Sequence, residues 1–286
     1  VPPTNPNMPP DLFTLAASRI NPQVPFRLLR RVAEVGPRVA GNDRELVQVT
    51  LGLRGDVFGD WRYDAYAQWG RNERTERQDG NVRISKFEEL LFAPDGGVSI
   101  CGGLDVFGKG RISSECAAHV ATSASNEAQV EQLLAEASVS GALAELPAGE
   151  LRSAFGVFHK RDEFEYVPDP VLEVFLPAVP GVIGPRPDVS GFGAGAARSG
   201  EETNTDLYVE FLVPLLRDAS TGRAAALDVG YRHSQYEQAG GADSYKAEFT
   251  FRQNPAVMWR GSFQRAVRAP SVEELYYPEI AGQFVV

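Results

Sequence analysis

The sequence predicts an all-β fold of antiparallel strands that form the wall of a transmembrane β-barrel. Three observations carry that expectation. Apolar residues fall on every second position from Leu46 to Val57, from Trp61 to Trp69 and from Thr205 to Phe263. This is the period of a strand with two chemically distinct faces. The polar parity holds Asp206, Glu210, Asp228, Arg232, Lys246, Glu248, Arg252 and Arg260, too many charges for a packed core. Connections alternate in length: short at 58–60, 147–149, 217–222 and 253–255, longer at 78–125, 168–203 and around 237–243. Membrane barrels have short turns at one end and long loops at the other. A soluble β-sandwich, such as a carbohydrate-binding module, has the same period but covers its apolar face and keeps its loops short.

In chain order, residues 1–25 are rich in Pro and Asn and read as loop. Phe26 to Val35 reads as a first strand ending at the turn signal Gly36-Pro37. The next strand sets Val47, Val49, Leu51, Leu53 and Val57 against Gln48, Thr50, Arg54 and Asp56. Across Phe58-Gly59-Asp60 it turns back into Trp61, Tyr63, Ala65, Ala67 and Trp69, an antiparallel hairpin. Arg71 to Arg77 has no apolar parity and reads as an extension or a loop. Residues 78–125 form a long loop, and Asn126 to Glu136 reads as helix from its Ala, Gln, Glu and Leu content. Strands resume around Val139 to Leu143 and from Leu151 to Tyr166. After a Pro/Gly-rich region at 168–203 come four more, around Leu207–Leu215, Leu227–Tyr231, Tyr245–Phe251 and Val257–Phe263. The total is about nine strands, with aromatics such as Trp61, Trp69, Phe155, Tyr236, Tyr245, Phe251, Trp259 and Phe263 near strand ends.

The chain has 286 residues and a formal net charge of -10, which argues against a general nucleic-acid partner. No apolar run is long enough for a membrane helix, and barrel strands need none. The chain opens at Val1 without a signal peptide, as a processed or excised piece would. Cys101 and Cys116 lie in a Gly/Ser-rich stretch. In an exported protein they read as one loop-closing disulfide, with two free thiols as the alternative.

Tyr231-Arg232-His233-Ser234-Gln235-Tyr236, then Gly240-Gly241 and Ser244-Tyr245-Lys246, form one distinctive stretch. Another runs Trp259-Arg260-Gly261-Ser262-Phe263-Gln264-Arg265-Ala266-Val267-Arg268-Ala269-Pro270-Ser271-Val272-Glu273-Glu274-Leu275-Tyr276. Together they resemble the barrel of TonB-dependent outer-membrane receptors. Glu34 to Arg38, Gly52 to Asp56, Cys101 to Gly108 and Leu146 to Leu151 are similar to that family too. The resemblance implies a barrel of about 22 strands around an N-terminal plug, with a box that engages an inner-membrane energy-transducing complex. It implies the cell outer membrane, contact with its lipid, and uptake of a scarce solute: an iron chelate, cobalamin or an oligosaccharide. About nine of roughly 22 strands are recognisable. The expectation is thus a partial barrel over 1–286, with long loops at 78–125 and 168–203. No plug, energy-coupling box or C-terminal aromatic strand is recognised, as in a middle segment or a truncated product.

Nothing in the sequence supports an enzyme, and no catalytic, cofactor-binding or metal residue is assigned. His119, His159 and His233 lack ligand spacing. Gly191-Phe192-Gly193-Ala194-Gly195 lacks the Lys-Ser/Thr of a phosphate loop. Gly261-Ser262-Phe263-Gln264-Arg265 lacks the second glycine of a nucleophile elbow. Arg265, Arg268, Glu273 and Glu274 invite a catalytic or ligand reading, and the preferred one is a structural ion-pair network between strand end, loop and plug. Ligand contacts are expected from the two long loops and the outer wall. Tyr166, Phe192 and Tyr236 are candidates for stacking there, or ordinary girdle and loop aromatics.

Overall fold

The computed structural model describes residues 1–177, 186–191, 193 and 195–276. Eight strands form one sheet: β1 (Val39–Asp56), β2 (Arg62–Val82), β3 (Ala121–Leu146), β4 (Gly149–Val167), β7 (Arg198–Asp218), β8 (Arg223–Tyr236), β9 (Gly240–Asn254) and β10 (Val257–Arg265). Two residue pairs, β5 (Phe175–Leu176) and β6 (Arg186–Pro187), make a separate small ribbon. The main sheet follows chain order from β1 to β10 and does not close among the described residues. Among the described residues there are also six short α-helices: α1 (Pro10–Ala17), α2 (Ile84–Phe92), α3 (Val98–Cys101), α4 (Ser114–Val120), α5 (Pro170–Glu173) and α6 (Val272–Tyr276).

Several expectations are corrected. Phe26 to Val35 is not a strand; only a 3-10 turn, Ala33–Val35, forms there. The Pro-rich start holds α1, because Pro10 stands in its first turn, where a missing N–H costs nothing. Of the two readings of Arg71 to Arg77 the extension holds: the stretch continues β2, its charges paired two residues apart along the strand (Arg71 with Glu73, Arg74 with Glu76, Arg77 with Asp79). Asn126 to Glu136 is strand, not helix; sheet pairing overrides local propensity there. The 78–125 stretch is not one loop: its ends belong to β2 and β3, and α2, α3 and α4 lie between. The connection near 237–243 is a tight turn between Tyr236 and Gly240.

Contacts divide the chain into two compact units. The first comprises Val1–Arg44, Arg74–Ala128 and Tyr166–Ala197. Its main core gathers Val82, Leu90, Leu91, Leu104, Val106, Ile112, Ala117 and Val120 around the Cys101–Cys116 disulfide. α4 starts where the Ser113 hydroxyl accepts the Cys116 N–H at 3.1 Å. Asp188, almost wholly buried, accepts from Arg83 Nε at 3.0 Å, Ser85 N at 2.6 Å and Ser85 Oγ at 2.7 Å. Arg30 bridges the Glu34 carboxylate and the Gly108 carbonyl, the latter at 2.7 Å, and the Gly110 N–H donates to Glu34 at 2.9 Å. Burial pushes the Glu34 carboxyl up. Its own backbone N–H, the Arg30 guanidinium and the Gly110 N–H outweigh that and hold it below its ordinary value.

The second unit comprises Glu45–Glu73, Gln129–Glu165 and Arg198–Val286, and its burial is inverted. Leu51 is 75% exposed, Trp259 61% and Phe263 67%, whereas Asp206 is 2% exposed and Glu202 and Asn204 4% each. The registers place Asp206 opposite Ser234, Tyr208 opposite Arg232, and Gly230 between Glu210 and Lys246. The charged parity is therefore one continuous face. No second sheet covers the apolar face among the described residues, the reverse of a sandwich. On that apolar face Trp61 lies over Gly141, where a Cβ would sit 2.6 Å from its ring. It stacks on Phe155, which meets Phe211 edge-on at 6.0 Å. This aromatic row marks one edge of the apolar band, as interfacial girdles do.

Two outcomes follow for the first unit. Cys116→Ser should destabilise the 83–120 segment by about 3 kcal/mol, the entropy model's value for a loop of this length, read as faster limited proteolysis within it. Glu34→Gln should speed amide exchange at Gly108–Gly110. A lowered carboxyl pKa contributes stability fully above the unfolded value of about 4.3. The gap between variant and native protein should therefore close as pH falls below that value.

Candidate functional site in the polar wall

The polar face of the second unit is organised by side chains lying along the sheet. Glu136 of β3 accepts from two tyrosines, Tyr66 of β2 and Tyr208 of β7, each at 2.7 Å. Tyr208 crosses β4 to reach it. The crossing is possible because Gly156 has no side chain; a Cβ there would sit 2.2 Å from the tyrosine ring. Arg232 of β8 lies over the rings of Tyr208 and Phe158, 5.9 and 5.2 Å from their centroids. Its Nε donates to Asp206 at 2.7 Å, and Nη2 donates to the same oxygen. Lys246 of β9 uses the gap at Gly230 in the same way and stands 3.4 Å from both Glu210 and Asp228.

Beyond Arg232 the face becomes a hollow of about 510 Å³. One wall is sheet, with Phe158, Lys160 and Asp162 of β4, Glu202, Asn204 and Asp206 of β7, and Ser234 and Tyr236 of β8. The other is the segment Val267–Val272. That segment is held by a capping box at the start of α6. Ser271 Oγ accepts the Glu274 N–H at 3.2 Å, and Glu274 accepts the Ser271 N–H at 2.9 Å. Arg268 grips the same carboxylate at 2.6 and 2.9 Å. Tyr276 then lies against Gly200, its hydroxyl donating to the Glu201 carbonyl at 3.1 Å. Ser-x-x-Glu was the readable signal of this cap.

The residues singled out from the sequence have separate fates. Arg268 and Glu274 form their ion pair within one segment, while Arg265 closes β10 and Glu273 is exposed. Tyr236 lines the hollow. Tyr166 is half-buried near the end of β4, close to Gly195. Phe192 lies outside the described residues. The histidines stand apart: His119 near Glu89, His159 against Thr205, His233 against Asp243. Sequence reasoning passed over Glu136, Tyr66 and Glu202. Glu136 fell in an expected helix, and the others needed the neighbouring strands to acquire meaning.

If Gly156 exists to let Tyr208 pass, Gly156→Val should destabilise the folded wall by about 1–3 kcal/mol, the usual cost of overpacking, read as a lower temperature of heat-induced gel-mobility change. In Tyr208→Ala background the same substitution should cost clearly less, because the obstructing ring is gone.

The family model described as TonB dependent receptor-like, beta-barrel matches residues 4–284. No curated protein and no solved structure matches the chain.

Proposed function

The chain belongs to the TonB-dependent receptor β-barrel family, and from that premise we propose that it serves an outer-membrane receptor importing a scarce solute with TonB-coupled energy. The observation that carries the reading is the inverted burial: apolar side chains outward, paired charges on the sheltered face. That distribution suits lipid on one side and a wet lumen on the other. In this reading residues 1–286 act as one barrel segment, and the solute is an iron chelate, cobalamin or an oligosaccharide. The stretches 78–125 and 168–203 contribute outer contacts, bilayer lipid covers the apolar face, and the energy-transducing complex is the partner of the intact receptor. No catalytic step or cofactor is assigned to it.

The intact receptor should restore uptake of one such solute to cells lacking their own receptors. Uptake should fall to background when the transducing complex is deleted. Uptake that persists without the complex would refute energy coupling, and folding of the receptor in water without detergent would refute the barrel.

A further inference from the structure

The hollow beside Arg232 contains an electrostatic imbalance. Its other carboxylates each have a cation: Asp206 has Arg232 and Asp162 has Lys160, the latter at 2.6 Å. The cation on the opposite wall, Arg268, is committed to Glu274. Glu202 has no cationic partner among the described residues. Its Oε1 accepts only the Gln238 N–H at 3.3 Å, and its Oε2 has no partner. Two residues along the same face, Asn204 donates its Nδ2 to Asp206 at 3.0 Å. That bond fixes the amide's orientation, because the reverse would set oxygen against carboxylate. Asn204 Oδ1 is therefore an acceptor, and it too has no partner.

Both residues are 4% exposed and both line the hollow. In this conformation the two oxygens are closed off, so a donor entering the hollow that both residues line meets them only as the side chains turn toward it. Leaving a buried carboxylate oxygen and an amide oxygen both unmatched is costly. Both oxygens are acceptors, and one belongs to a carboxylate. The volume is that of a small-molecule site, and Phe158 and Tyr236 add aromatic surface. We propose that this hollow binds the cationic nitrogen of a small organic molecule, a primary ammonium whose N–H groups are shared between Glu202 and Asn204. An ammonium has several donors and so suits two acceptors on one strand face.

The site does not depend on import, so binding is measured on the intact receptor in detergent, without the transducing complex. The probes are benzylammonium and its neutral counterpart, benzyl alcohol, followed by saturation-transfer NMR and calorimetry. Benzylammonium should bind, and benzyl alcohol should bind at least about tenfold more weakly, the scale of one charge-assisted hydrogen bond. Glu202→Gln should reduce benzylammonium binding to a similar degree. Glu163→Gln, on the exposed parity of β4, should leave it unchanged. Equal binding of both probes, no benzylammonium binding, or insensitivity to Glu202→Gln would each overturn the proposal. So would displacement of the probe by sodium at equal concentration, which would mark an inorganic-cation site. If Glu202→Gln alters the heat-induced mobility change, Glu202→Asp serves instead: it keeps the charge, and charge recognition predicts retained preference for the ammonium.

Discussion

A single carboxylate, Glu136, ties together strands that are not neighbours. Its two oxygens receive Tyr66 from β2 and Tyr208 from β7, with β4 passed over at Gly156. The charges of this face are set among other polar side chains rather than in a hydrocarbon core. They are fixed by one another. Tyr208 gives Arg232 a ring to lie on, Arg232 holds Asp206, and Asp206 orients Asn204. This run of contacts leads from Glu136 along the polar face to the hollow beside Glu202.

The same economy explains why the apolar face can stay bare. Backbone groups between neighbouring strands find partners in the ladder, and Tyr208, Arg232, Asp206 and Lys246 find partners on their own polar face. What is left outward is hydrocarbon and aromatic ring, which suits a bilayer and would be a liability in water.

The strands β7 to β10 are legible because apolar residues recur at every second position over most of each, and a two-residue period says which residues share a face. The first half of β3 was illegible for the opposite reason. Ala, Gln, Glu and Leu carry helix preference, and only the neighbouring strands make that stretch extended. The β2 extension from Arg71 to Arg77 lacks an apolar parity altogether, so its strand character rests on pairing along and across the sheet. The segment 259–276 is distinctive as a string of residues, yet its physical sense, a strand end leading to a capped helix laid on Gly200, depends on where Ser271, Glu274 and Tyr276 lie in the fold. The polar site could be sensed as a charged parity. Which carboxylate lacks a cation could not be read, since that depends on how far each long side chain reaches across its neighbours.

The glycines on the polar face, Gly156, Gly200 and Gly230, each lie beneath a long side chain from elsewhere. They act as recesses in which tyrosine and lysine lie down instead of standing out from the sheet. At these three places the face is low in relief. At these positions the face presents flattened rings and a reclining lysine, and length of side chain is turned into contact along the sheet instead of reach away from it.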